Sequence, residues 1–280
     1  VFANGILADG STLDPVIQGW KADGHQAFMT HVPAAHGVET RTAELAKQID
    51  RILAETHAEK VNLVAYSMGT LDARYLVSTL HYEDRVASVT SLSGVAGGTP
   101  VADTAAWALR TLPASWQTYV DGFVGLFGVR TNPLLANPEV LKLAEAMSVE
   151  GARAFAAENP DAPGVHYQSY AGLTTIFGYA LDAHETACGG VILGDNKVPD
   201  VMNWQIRTGQ VLLAPSLVGT PSDGIVAVES QKHGEFRGCV PTDHWGIIGS
   251  TRAPGPDTRT GFDLVRFYRN LAFDLAKRGY

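Results

Sequence analysis

The sequence predicts an α/β fold, a mostly parallel central sheet with helices on both faces and one helical insertion. Three observations carry that expectation. Short β-branched and aliphatic runs alternate with longer stretches of helical periodicity, the rhythm of strand–helix–strand units. The strand-like runs are apolar nearly throughout, as strands buried on both sides require. One of them, residues 61–65, leads into Tyr66-Ser67-Met68-Gly69-Thr70 and then a helix-like segment through Leu80, the context of a sharp strand–turn–helix.

Taken in order, residues 1–8 begin as a buried strand that turns at Asn4-Gly5, and residues 26–32 read as a second strand entered from the Asp23-Gly24 turn. Over 39–56, Leu45, Ile49, Ile52 and Leu53 recur at helical spacing and predict an amphipathic crossover helix. The 61–65 strand follows, then a helix with Leu71, Tyr75 and Leu76 on one side, then a strand over 86–92. After Gly97-Gly98-Thr99-Pro100 the rhythm breaks. Between 103 and 129 no strand is read, while Trp116, Val120, Phe123 and Phe127 keep helical spacing and form a wide aromatic face. A core-facing helix would show the same stripe, but so many large apolar groups in one insertion favour a movable lid over a fixed cap.

Asn137-Pro138 reads as a helix start leading through Leu141, Ala144 and Met147, and Ser148 as the cap of another helix ending by Asn159-Pro160. Residues 165–171 return to strand character. The stretch 172–210 resists assignment, and 211–214 reads as a further strand. Thr260-Gly261-Phe262-Asp263 has capping-box form before a last helix that buries Leu264, Phe267, Tyr268, Leu271 and Leu275. Neither a repeat nor a linker is evident. The expectation is one domain over 1–280, with 103–160 as a helical lid or cap.

A chain of 280 residues, 45% hydrophobic, can bury a sizeable core. The net charge of −8, without any block of like charges, argues against a nucleic-acid partner. No apolar run approaches the roughly 18–20 residues of a membrane span. Val1 opens on what reads as the end of a strand, which suggests a processed or truncated start and leaves location open. Cys188 and Cys239 lie far apart and outside any metal spacing; a disulfide depends on the compartment.

The chemistry gathers at Ser67. A serine hydroxyl needs an imidazole to take its proton and a carboxylate to hold that imidazole in the right tautomer. Ala65 and Gly69 leave the space that so tight a turn demands. In a strand–turn–helix hydrolase the order along the chain is nucleophile, acid, histidine. His233 and His244 both come late enough. His244 is favoured, because Val240-Pro241-Thr242-Asp243-His244-Trp245-Gly246 reads as a loop leading towards the final helix, whereas His233 sits in an exposed-looking segment. The histidines at 25, 31, 36, 57, 81, 166 and 184 read as structural or solvent-facing, and His31 with His36 lacks further ligands for a metal. As acid, Asp223 in Pro221-Ser222-Asp223-Gly224-Ile225-Val226 is favoured. Asp243 reads as a loop residue, since adjacent side chains seldom point at each other, and Asp195 and Asp200 fall in the unassigned stretch. The oxyanion donors expected are the backbone N–H groups of Met68 and Ile6.

With these residues assembled, the chain resembles the secreted bacterial true lipases of the Pseudomonas–Burkholderia–Proteus type, in the α/β-hydrolase superfamily. The likeness runs through Val1-Phe2-Ala3-Asn4-Gly5-Ile6-Leu7, the Ser67 turn with its strand and Arg74-Tyr75-Leu76, the 86–91 strand, Gly164-Val165-His166-Tyr167 and Ser222-Asp223-Gly224-Ile225-Val226. It implies an α/β-hydrolase fold and a serine carboxylic-ester hydrolase. That enzyme would be a lipase cleaving acylglycerol esters through an acyl-enzyme, carried by Ser67, Asp223 and His244. It also implies a lid in 103–129, secretion, contact with an oil or membrane surface, and a Cys188–Cys239 disulfide steadying the histidine loop; a monomer is expected. Asn4 stands where the family has histidine, Ala65 where it usually has glycine, and the segment between Gly5 and Asp23 is shorter. The family binds a structural calcium through an aspartate two residues beyond the histidine. Here that place is Gly246, and Ser250 stands where glutamine is usual, so no calcium and no other cofactor is expected. Competing readings are a polyester (polyhydroxyalkanoate-type) depolymerase, a short-chain esterase, and a non-catalytic protein holding an apolar ligand. The last has no need of all three triad residues.

Overall fold

Parallel pairing sets the strongest apolar runs at the centre of the molecule. The computed structural model describes residues 1–5, 11–34, 36–111, 139–251 and 255–280. Its main sheet is built from β1 (Phe2–Ala3), β2 (Val61–Tyr66), β3 (Val86–Leu92), β4 (His166–Gly172) and, after the two-residue strands β5 (Thr174–Thr175) and β6 (Asp200–Val201), β7 (Glu235–Val240). The strands lie in the order β1-β2-β3-β4-β7, every neighbouring pair parallel.

Successive residues of a strand point to opposite faces, and both faces here are apolar. Phe2, Val64, Tyr66, Leu92, Tyr170 and Val240 share one core with Val16, Ile17 and Trp20 of α1 (Asp14–Ala22) and with Phe267, Tyr268 and Leu271 of the terminal helix Leu264–Lys277. Ala3, Leu63, Ala65 and Val89 face the other way, onto Leu45, Ile49 and Ile52 of α2 (Val38–Thr56) and Ala73, Leu76 and Val77 of α3 (Gly69–Ser78). Each large aliphatic side chain so buried contributes roughly 1.5–3 kcal/mol. The doubly covered parallel sheet expected from the sequence is present.

Between β3 and β4 run α4 (Pro100–Thr111), α5 (Glu139–Met147) and α6 (Val149–Glu158). Ser148 caps α6 through its hydroxyl, which accepts the Gly151 N–H at 2.9 Å. The lid residues Trp116, Val120, Phe123 and Phe127, the Asn137-Pro138 start and the oxyanion residue Ile6 lie outside the described residues.

Several local expectations need correction. Residues 26–32 do not form a strand; Met29 makes a single bridge to Phe2, because β1 offers only two residues to pair with. Residues 211–213 are not strand but the end of α8 (Trp204–Leu213), which follows α7 (Asp182–Ala187). A short apolar run does not reveal its own period: α8 buries Ile206, Gly209 and Gln210 and leaves Val211 and Leu212 exposed. Past the short α9 (Val228–Gln231), α10 (Leu264–Lys277) is capped by Asp263, whose carboxylate accepts the Arg266 N–H at 2.8 Å, while Thr260 bonds within the preceding turn.

Cys188 at the end of α7 and Cys239 in β7 form a disulfide, with their Cα atoms 5.3 Å apart. It fastens the stretch after α7 to the strand that leads to His244, and backbone bonds Cys239 N–Val191 O and Leu193 N–Cys239 O run alongside it. The bridge closes a sequence separation of 51 residues, worth about 4 kcal/mol in a chain-entropy account. Replacing both cysteines by alanine should therefore lower Tm by several degrees in a thermal melt; an unchanged Tm would show the backbone ladder alone holds β7.

Candidate active site

Ser67 stands at the carboxyl end of β2 with φ 53°, a left-handed conformation rare outside glycine, and α3 begins two residues later. Its N–H is held by Leu92 O at 3.0 Å, and its carbonyl accepts from Thr70. The turn leaves little room on either side. Ala65 is fully buried, and a Cβ on Gly69 would lie 2.6 Å from Ala3 O and 2.9 Å from Asn4 O. On the facing strand end, a Cβ on Gly5 would come within 3.0 Å of both Ser67 Cβ and Tyr66 Cδ1. The segment entering the Ile6 region thus passes directly against the serine.

Two loops bring the other groups to it. His244 Nε2 lies 3.0 Å from Ser67 Oγ, and His244 Nδ1 lies 2.7 Å from Asp223 Oδ2. Asp223 is fully buried, and its other oxygen accepts the N–H groups of Ile225 (3.0 Å) and Val226 (2.7 Å). Those two bonds define a tight turn, which Gly224 makes feasible with φ 92°. A carboxylate only accepts, so the Nδ1 of His244 carries the proton and Nε2 presents a lone pair to the serine hydroxyl.

His244 is held at both ends of its backbone as well. Its N–H donates to Asp223 O at 2.9 Å, and its carbonyl accepts from Tyr66 Oη at 2.9 Å. Burial, with the Asp223 and Asp243 carboxylates adding to it, pushes the Tyr66 phenol well above its ordinary value, so it remains a donor. Farther along, Tyr268 Oη of α10 donates to Ile247 O at 2.8 Å. The groups passed over by the sequence reading stand elsewhere. His233 precedes β7, at the opposite end of the sheet, with its ring 2.9 Å from Asp161. Asp195 makes an exposed pair with Arg266, and Asp200 begins β6.

Arg41 went unnoticed in the sequence. It lies on the buried stripe of α2 with Leu45, Ile49 and Ile52, and a charge on that stripe was the available signal. The guanidinium, 0% exposed, grips Asp72 of α3 from Nε (2.9 Å) and Nη2 (2.7 Å). It also donates to Asn4 O at 3.0 Å and to Pro33 O at 3.0 Å. One side chain therefore ties the end of β1 to the helix that follows the serine. Burial pushes the Asp72 carboxyl up to about 6, with Arg41 pulling against that shift.

Residues 22–143 match a family model described as alpha/beta hydrolase fold. A triacylglycerol lipase of Vibrio cholerae is 30% identical over 216 residues, covering 71% of this chain and 68% of that protein. Triacylglycerol lipase 2 of Saccharomyces cerevisiae is 25% identical over 275 residues, 93% of this chain and 72% of its own length. Among solved structures, the Staphylococcus hyicus lipase aligns over 99% of this chain and 94% of its own, with a TM-score of 0.63 at 14% identity, a likeness of fold.

The Arg41–Asp72 pair makes a specific prediction. Asp72→Ala leaves a buried guanidinium unpaired and should cost about 3–5 kcal/mol in denaturant unfolding. Joint replacement, Arg41→Met with Asp72→Leu, should recover most of that stability. Equal losses in the single and double variants would contradict the assignment.

Proposed function

This chain belongs to the lipases of the α/β-hydrolase family, and from that premise we propose that Ser67 is its nucleophile, His244 its general base and Asp223 the acid that orients the base. The observation that carries this reading is the chain of two contacts through His244, 3.0 Å to the hydroxyl of a serine with a left-handed backbone and 2.7 Å to Asp223. Attack of Ser67 Oγ on an ester carbonyl sends its proton to His244 Nε2, and the imidazolium is stabilised by Asp223. The same proton then passes to the departing alkoxide, releasing an alcohol and leaving an acyl-Ser67. Water, deprotonated by Nε2, completes the cycle. The tetrahedral oxyanion is received by the N–H groups of Met68 and Ile6.

The substrate proposed is an acylglycerol ester presented at an oil or membrane surface, as in lipases of the Pseudomonas–Burkholderia–Proteus type. Supporting this is apolar surface on two joined helices, one of which is capped by Asn203, bonded to Asp243 of the histidine loop. Trp107 on α4 and Trp204, Val211 and Leu212 on α8 are all exposed, and the two helices are joined by Thr104 Oγ1 donating to Leu213 O at 2.6 Å. Residues 103–160 are read as the lid or cap over the pocket within a single domain, with Trp116, Val120, Phe123 and Phe127 as its aromatic face. The disulfide suits an oxidising, extracellular setting. The protein is proposed to act as a monomer without a cofactor.

Ser67→Ala should lower kcat on p-nitrophenyl butyrate by about 10⁴- to 10⁶-fold with an unchanged melt, because it deletes the nucleophile and a single oxygen atom. Retained activity would remove Ser67 from the mechanism. Phe123→Ser with Phe127→Ser should weaken hydrolysis of emulsified long-chain esters far more than of soluble short ones. An equal fall on both substrates would make the segment a fixed cap and the protein an esterase.

A further inference from the structure

The histidine loop contains a second carboxylate that the Ser67–His244–Asp223 relay does not use. Asp243 precedes His244 directly and is 1% exposed. Its Oδ1 accepts the N–H of Gly246 at 2.8 Å, the N–H of Trp245 at 3.1 Å and the hydroxyl of Thr251 at 3.3 Å. Its Oδ2 accepts the N–H of Asn203 at 3.3 Å, and Asn203 is the residue that caps α8. One side chain thus gathers the turn just after His244, the chain at 251, and the segment entering α8.

We propose that Asp243 is a positioning residue for ester hydrolysis, an internal carboxylate that sets the backbone of the histidine loop and so aims His244 Nε2 at Ser67. The proposal rests on His244 being the base. These bonds hold the turn next to His244 itself, between the ties to Asp223 and Tyr66 on one side and those of Tyr268 to Ile247 O and Thr12 to Ile248 O farther along. A buried carboxylate with several backbone donors fixes a turn much as a bound cation would, with the signs reversed.

The residues here do not fit the calcium of the lipases the chain resembles. At Gly246, where those lipases carry a carboxylate, a Cβ would overlap Thr242 Oγ1 and lie 3.3 Å from Asp243 Oδ1. A side chain there would have to displace the Thr242 hydroxyl and crowd the Thr251 hydroxyl and the Asp243 carboxylate. The space a ligand side chain would enter is already bounded by the oxygen that organises the turn.

The test compares wild type with Asp243→Ala and Asp243→Asn, well below the Tm of the least stable variant. Steady-state kinetics on p-nitrophenyl butyrate are combined with the rate of Ser67 modification by a p-nitrophenyl phosphonate and the downfield NMR resonance of the His244 Nδ1 proton. Asp243→Ala should lower kcat and the phosphonylation rate by about 10- to 100-fold with KM little changed, and should broaden or shift the His244 resonance. Asp243→Asn keeps one oxygen for Trp245 and Gly246 but turns an amide N–H₂ towards the Asn203 N–H, so its kcat should fall between the two. EDTA should leave wild-type kcat unchanged, and calcium chloride should not restore the alanine variant. An alanine variant with wild-type kcat and resonance would overturn the proposal, as would a kcat loss that only tracks the unfolded fraction. Loss of wild-type activity in EDTA, restored by calcium, would show that a cation holds the loop instead. Wild-type protein that labels away from Ser67 would sink the triad itself, whereas a wild type labelled on Ser67 with an indifferent Asp243→Ala sinks this inference alone.

Discussion

The left-handed backbone of Ser67 is the constraint around which the neighbouring structure is arranged. A non-glycine residue in that region costs on the order of 1–3 kcal/mol and persists only where the surroundings over-determine it. Here they do so from three sides. The β2–β3 ladder continues past the strand end through Ser67 N–Leu92 O. The start of α3 is pressed under the Ala3 and Asn4 carbonyls, which glycine at 69 alone permits. Arg41 then clamps the Asn4 carbonyl to Asp72 one turn along the same helix. The strain points the hydroxyl out over the carboxyl edge of the sheet, where the turn between α8 and α9 and the loop after β7 reach it.

Those loops are irregular, so their precision has to come from ties other than strand pairing. The Asp223 turn is closed by its own carboxylate on the Ile225 and Val226 N–H groups. The histidine loop is joined to that turn by His244 N–Asp223 O, to the sheet by Tyr66, and to α10 by Tyr268. The disulfide steadies the strand from which it departs. Bringing three groups from distant parts of the chain within hydrogen-bond range before substrate arrives is where much of the catalytic advantage of such a site originates. A loop displaced by one ångström would forfeit much of it.

How much of this was legible depended on the kind of signal. The strand over 86–92 and the turn at Ser67 were readable because their signatures are local: a continuous apolar run, and small residues flanking a serine. Asp223 and His244 were readable because chain order and loop context together left few candidates, and the structure brings both to Ser67. Where only tertiary contacts choose the conformation, the sequence misled. Val211, Leu212 and Leu213 are apolar yet end a helix whose buried face is carried by Ile206 and Gln210. The stretch 172–210 is fastened to β7 by the disulfide and by Leu173 N–Val240 O and Leu193 N–Cys239 O, at long sequence distance. Asp243 was set aside because its side chain was not expected to face the neighbouring histidine; that its backbone turn would instead curl round its own carboxylate was not inferable from spacing.

Rapid acid quenching of the protein with p-nitrophenyl butyrate, followed by peptide mass spectrometry, tests the central claim most directly. The account predicts a butyryl adduct on the peptide bearing Ser67, formed during the pre-steady-state burst and absent from Ser67→Ala. Turnover with the adduct on another residue, or ester cleavage by Ser67→Ala at the wild-type rate, would contradict it.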